Sequence, residues 1–169
     1  MISKATSVER VKEIGSPCNK CGHCCKFSSG FLVDEDINNI AEFLKIDKEI
    51  FILTYLEEKE LFNTKIFRPV LLREDKPYGQ CIFFDKIEGC KIHEVKPLFC
   101  KIANCFAYSQ DLIAWFYLNY LVNKDDPESI RQYASYLESG GKLIPGGQLH
   151  ELVPDKERLN KILSYEELF

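Results

Sequence analysis

Four cysteines, Cys18, Cys21, Cys24 and Cys25, fall within the stretch "GSPCNKCGHCC" at residues 15–25. Thiols at this density can hold a metal, pair as disulfides or serve as nucleophiles. The CxxC from Cys18 to Cys21 lets one tight turn aim two sulfurs at one ion. Pro17 before it and Gly22 after it supply the turn chemistry of a knuckle that wraps zinc or iron. Cys24 extends the pattern to CxxCxxC, a spacing that delivers three thiolates to a 4Fe-4S cluster with a distant cysteine as the fourth. The usual ferredoxin continuation, three residues and then Cys-Pro, is absent. Cys25 directly after Cys24 is unusual, because side chains on consecutive residues diverge. One of the pair is therefore expected to serve a second centre.

Four further thiols, Cys81, Cys90, Cys100 and Cys105, lie downstream. Eight cysteines match two four-cysteine sites in number, and equally one cluster with spare or catalytic thiols; spacing alone does not assign them. His23 and His93 stand beside cysteines and are further candidate ligands. Lys20, Lys26, Lys91 and Lys101 lie next to or between the cysteines, where positive charge would lower thiol pKa values and offset an anionic centre. Solvated surface lysines are the simpler account of the same four residues.

Composition sets the frame around this cluster. A chain of 169 residues suits a single domain, one able to bury roughly 70% of its unfolded surface without disulfides. The hydrophobic fraction of 46% and charged fraction of 28% are those of an ordinary globular protein. A net charge of −4 argues against nucleic-acid binding through a broad basic face. The start "MISKATSVERVKEIG" lacks the apolar region of a secretory signal, and the most apolar stretch, residues 112–122, is too short to cross a membrane. A cytoplasmic location is expected. Thiols there are kept reduced, which makes metal ligation a better reading than disulfides.

The elements that must position the thiols follow from periodicity. In "FLVDEDINNIAEFLKIDKEIF" an amphipathic helix is expected with Asp34 as N-cap and Ile37, Ile40, Ala41 and Leu44 on one stripe. A second helix is expected from Asp47, carrying Ile50, Phe51 and Tyr55 inward and ending in the charged run "EEKE". "KIFRPVLLRE" and "CIFFD" read as a β-hairpin around "DKPYGQ", with Pro69 marking an edge strand. Cys81 would open one strand and Cys90 the next, with Gly89 at the bend between them. Lys96 and Pro97 mark a helix start that carries Cys100, and Asn104 is a left-handed terminator, which makes Cys105 the least secure ligand.

Beyond this the chain reads as helical. "DLIAWFYLNYLVNK" is apolar on nearly every side, "DDPESIRQYASYLESGG" runs from an Asp126 cap and Pro127 to a Gly140/Gly141 stop, and a last helix begins near Pro154 and Asp155. Core packing outweighs partner binding for Trp115, Phe116 and Tyr117. The expected fold class is α+β: a small antiparallel β-hairpin or meander with surrounding helices, a cysteine metal site at its edge and a helical C-terminal part. One domain is expected over residues 1–169, with a metal-binding region at 15–106 and a helical extension at 107–169.

The cysteine pattern resembles the YkgJ-like cysteine-cluster family, named for CxxCxxCC and described as zinc- or iron-chelating. Cys18, Cys21, Cys24 and Cys25 match that motif in full. The resemblance continues through "GQCIFFDKIEGCKIHEVKPLFC" and spans the intervening helical pair, about residues 15–106. It implies that Cys18, Cys21, Cys24, Cys25, Cys81, Cys90 and Cys100 are metal-site cysteines, with Cys105 in a looser position. His93 stands where the family often has Tyr. The family is also similar to the cysteine-rich part of flagellin lysine N-methylase, although this chain is much shorter and has no glycine-rich nucleotide loop after a strand.

Three functions follow as expectations. The leading one is a metal-binding protein that holds an iron-sulfur cluster, preferred over zinc. The second is an iron-sulfur-dependent methyltransferase or redox enzyme, with Glu94 beside His93 as a candidate proton carrier. The third is a zinc-stabilised module that binds a protein partner through the aromatic helix from Asp111. No nucleic-acid partner and no membrane are expected in any of them.

Overall fold

A computed structural model describes every residue except Ser16, Pro17, Asn104 and Phe106. The turn assigned to Pro17 and the terminator assigned to Asn104 therefore lie outside the described residues. In chain order the elements begin with α1 (Val8–Ile14), α2 (His23–Phe27), α3 (Asp34–Leu44) and α4 (Lys48–Tyr55). Six strands follow: β1 (Leu56–Leu61), β2 (Thr64–Pro69), β3 (Leu71–Leu72), β4 (Gln80–Cys81), β5 (Phe84–Asp85) and β6 (Gly89–Cys90). A 3-10 turn at His93–Val95 leads to α5 (Leu98–Ile102), α6 (Ser109–Tyr120), α7 (Pro127–Glu138), α8 (Leu149–Leu152) and α9 (Lys156–Leu163). The class is α+β, as expected. No helix among the described residues is long and apolar enough to cross a membrane.

The chain divides into two compact units. One comprises residues 15–59 and 66–106 and holds all eight cysteines; the other comprises residues 1–14, 60–65 and 107–169 and is mainly helical.

In the cysteine unit, α3 forms where periodicity places it, and Ile37, Ile40 and Ala41 are buried. Its cap differs from expectation. Val33 is the N-cap, and its amide donates to Asp36 Oδ2 at 3.1 Å, so Asp34 is the first helical residue. In α4 the Asp47 side chain accepts from the amides of Glu49 and Ile50, and Phe51 is fully buried. Ile50, expected inside, is 56% exposed. "EEKE" ends no helix; it runs along β1. The reason is long-range, because Glu57 is fixed by Arg68 on β2, at 2.6 Å, and by Arg73.

Among the described residues the strands form three separate two-stranded sheets, β1–β2, β3–β4 and β5–β6. The expected hairpin around "DKPYGQ" is β3–β4, with Leu71 opposite Cys81. Its first strand is shorter than expected because residues 64–69 pair with β1 instead. Cys81 ends β4 and Cys90 ends β6, so each closes a strand and opens none. Gly89, at φ +79°, makes the bend back from β5. The apolar core of this unit includes Ile40, Phe51, Phe83, Phe84 and Ile92, and Cys81 belongs to it.

The helical unit is conventional. Asp126 caps α7 by accepting from Glu128, and Asp155 caps α9 by accepting from Glu157 and Arg158. Trp115, Phe116, Leu112, Ile130, Tyr133 and Ile162 are each at 2% exposure or less. Trp115 Nε1 donates to the Thr6 carbonyl at 2.9 Å. Trp115 and Phe116 are core residues, in line with the core-packing expectation, while Tyr117 on the same helix is half-buried.

Candidate metal centre

Three separate segments carry the thiols to one place. The first is the turn and short helix at residues 18–27. Lys20, at φ +54°, and Gly22, at φ +71°, are both left-handed, and this coils the chain so that the Lys20 amide donates to Cys18 Sγ at 3.4 Å. A side chain at Gly22 would collide with Phe84, since its Cβ would lie 2.5 Å from the ring. The knuckle therefore sits directly on β5. Helix α2 packs on β4, which places Cys24 and Cys25 near Cys81.

The second segment is the β3–β6 region. Cys81 ends β4, and Cys90 stands opposite Phe84 across the β5–β6 pair. The Phe83 amide hydrogen-bonds Cys81 and the Ile92 amide hydrogen-bonds Cys90. Each donor comes from the residue two positions on, the same relation as Lys20 to Cys18. Such donors favour thiolates and aim them.

The third segment is α5, which carries Cys100. Its N-cap is Pro97, whose side chain can cap nothing. The missing acceptor is Asp36 of α3, which is 7% exposed and receives the Leu98 amide at 3.1 and 3.2 Å. Burial raises the Asp36 pKa while its two amide donors oppose that rise. The Gly30 amide hydrogen-bonds Cys100, and a Cβ at Gly30 would fall on Cys100 Sγ, so this approach needs glycine.

Cys18, Cys24, Cys25, Cys81, Cys90 and Cys100 line a single cavity of about 120 Å³. On the same measure one water needs only roughly 10–15 Å³. Among the described residues no three His, Cys, Asp or Glu side chains stand pre-arranged as a closed site for an ion. Cys24 and Cys25 are expected to diverge, yet both line this cavity, and the Cys25 thiol donates to Cys24. Cys21 and Cys105 are exposed and do not line the cavity. His23 is exposed and rests edge-on against Phe27 at 5.5 Å. His93 lines the cavity, whereas Lys26, Lys91 and Lys101 do not and Lys20 does.

The electrostatics fit a cation-binding pocket. The hydrogen bond from Cys25 draws the Cys24 pKa down to about 6, and the same bond pushes Cys25 upward. Burial pushes Cys81 up to about 11 and raises Cys90 and Cys100 as well. Mutual repulsion adds to this, since Cys100 faces Cys81, Cys90 and Cys24. Burial also lowers the His93 pKa, with Lys96 and Lys20 acting in the same direction. A bound cation reverses the thiol balance by favouring every thiolate around it. The donor set thus fits either metal chemistry: thiolates, amide donors to their sulfurs and an apolar wall.

Sequence reasoning found the cysteines and missed what aims them. The i+2 amides are invisible in residue types. Gly30 had a signal, a glycine in "SSG" with no turn partner, but its role depends on Cys100, far along the chain.

Comparison with known families agrees with this geometry. The family model CxxCxxCC, described as a putative zinc- or iron-chelating domain, matches residues 17–120. No curated protein and no solved structure matches the chain.

Proposed function

The chain belongs to the CxxCxxCC family, and on that premise we propose that it is a metal-binding protein whose cysteine cavity holds an iron-sulfur cluster. One observation carries the reading: six thiols from three segments line one cavity roomier than a single ion requires. Zinc keeps its sulfurs about 2.3 Å from the metal; zinc and the common clusters alike take four protein ligands, so the room in the cavity, not the number of thiols, favours a cluster. Cys18, Cys24, Cys25, Cys81, Cys90 and Cys100 are the thiols from which the four ligands are proposed to come, with Cys21 able to join from the same turn. When bound, the cluster would supply one-electron redox chemistry or a structural cross-link. Eight free thiols suit a reducing compartment, in keeping with a cytoplasmic location.

Structural zinc is the second reading. It is favoured by the Lys20 amide on Cys18 Sγ, the hydrogen bond of a zinc knuckle. Anaerobic purification separates the two readings. The expected result is iron and sulfide in the protein with broad visible absorption. Stoichiometric zinc, no sulfide and no colour would overturn the cluster and leave the knuckle reading. Within either result, Cys24→Ser should remove most bound metal and Cys105→Ser should remove little, because only Cys24 faces the other thiols. Equal losses would show that the cavity does not define the ligand set.

A further inference from the structure

His93 follows Cys90 by three residues, so Cys90-Lys91-Ile92-His93 has the spacing of CxxC with an imidazole in the second place. Its position is held from both sides. Ile92, 2% exposed, anchors the chain in the core, and Leu98 begins α5 under the Asp36 carboxylate. The residue as a whole is half-buried, yet its Nε2 atom is closed off from solvent and has no hydrogen-bond partner among the described residues. Leaving such a group unpaired costs about 1–3 kcal/mol. The same side chain lines the thiol cavity. The other two histidines differ: His23 is exposed and against Phe27, and His150, on α8, is not among the residues that line this cavity.

We propose that His93 Nε2 ligates the metal group in the cysteine cavity, which makes the centre a mixed thiolate and imidazole one. The inference rests on the cavity being a metal site, as proposed above. A neutral imidazole in place of a thiolate leaves the centre one negative charge lower. In an iron-sulfur cluster this exchange raises the reduction potential.

The test uses the full chain, grown with ¹⁵N-labelled histidine, purified anaerobically and reduced, and read by pulsed electron paramagnetic resonance. A zinc preparation is read the same way after cobalt(II) replaces the zinc. The strong nitrogen coupling of a directly bound imidazole is expected in the wild type and in His23→Ala. In His93→Cys it should vanish while metal content is kept. In His93→Ala, transfer of metal to a chelator should be at least about tenfold faster. Wild-type protein that holds metal without that coupling overturns the proposal before any variant is made, as does coupling that persists in His93→Cys. A preparation that holds no metal at all overturns the cavity reading itself, a distinct failure seen in the metal analysis.

Discussion

In the helical unit, α6 and α7 run twelve residues each, and Trp115, Phe116, Ile130 and Tyr133 are sealed inside. In the cysteine unit, β3 to β6 have two residues each and α2 and α5 have five. Helices and sheets that short are marginal alone, because nucleation and pairing costs are met only by longer elements. Six thiols of the cysteine unit line one cavity, and Cys81 is also part of that unit's apolar core. On the proposed reading the helical unit is ordered by apolar packing alone, whereas the thiol segments of the cysteine unit are joined both by its apolar core and by what the cavity holds.

The largest expected effect is metal removal. Chelation under reducing conditions should unfold the cysteine unit, since metal-binding energy there is folding energy. Hydrogen exchange, followed residue by residue, should rise over α2, β3 to β6 and α5, while amides of α6 and α7 stay protected. Unchanged exchange in the cysteine unit after verified metal loss would erase the contrast.

The reciprocal experiment disturbs the other unit. Phe116→Ala removes a fully buried ring and should cost about 3–5 kcal/mol. Metal content per folded chain should not change. A parallel loss of metal would show that the two units do not depend on separate sources of order.

Legibility from sequence divides along the same line. The α3 stripe, the Asp126 and Asp155 caps and the Gly89 bend are local devices, and each was readable from a few neighbouring residues. The β1 strand was not, because "EEKE" is held extended by Arg68 and Arg73, which lie further along the chain. Helices α1, α2 and α8 are too short to leave a periodic signature. At the site, CxxC spacing announced thiolate chemistry, yet which thiols share a cavity depends on the meeting of Cys24, Cys81 and Cys100, and that is decided by tertiary packing.

Asp36 tests how the third segment is held. Asp36→Ala would strip the buried Leu98 amide and the half-buried Val33 amide of their acceptor, at a cost of about 1–3 kcal/mol. Exchange at the start of α5 should rise, and metal should leave faster because Cys100 sits on that helix. Asp36→Asn keeps one acceptor oxygen and should lose less. If the two variants behave alike, the carboxylate is not what seats α5.

The smallest effect concerns Glu57, the polar clasp between β1, β2 and the start of the loop after β3. Glu57 receives Arg73 and Arg68, the latter at 2.6 Å, and Arg73 followed by Arg68 holds its pKa below the ordinary value. A depressed carboxylate pKa means that the folded form binds a proton less readily than the unfolded form. The clasp's contribution is therefore present above the unfolded-state pKa of glutamate and is lost as pH falls through the folded-state value. Such partly exposed pairs are worth up to about 1 kcal/mol. Wild type should then melt slightly above Glu57→Gln at neutral pH, and the gap should close on acidification through the carboxylate range. Taking the difference between the two proteins cancels the titration of the thiols and of Asp36, which both share. A gap that stays constant down to acid pH would show that Glu57 acts through packing and hydrogen bonding alone, with no charge in the clasp.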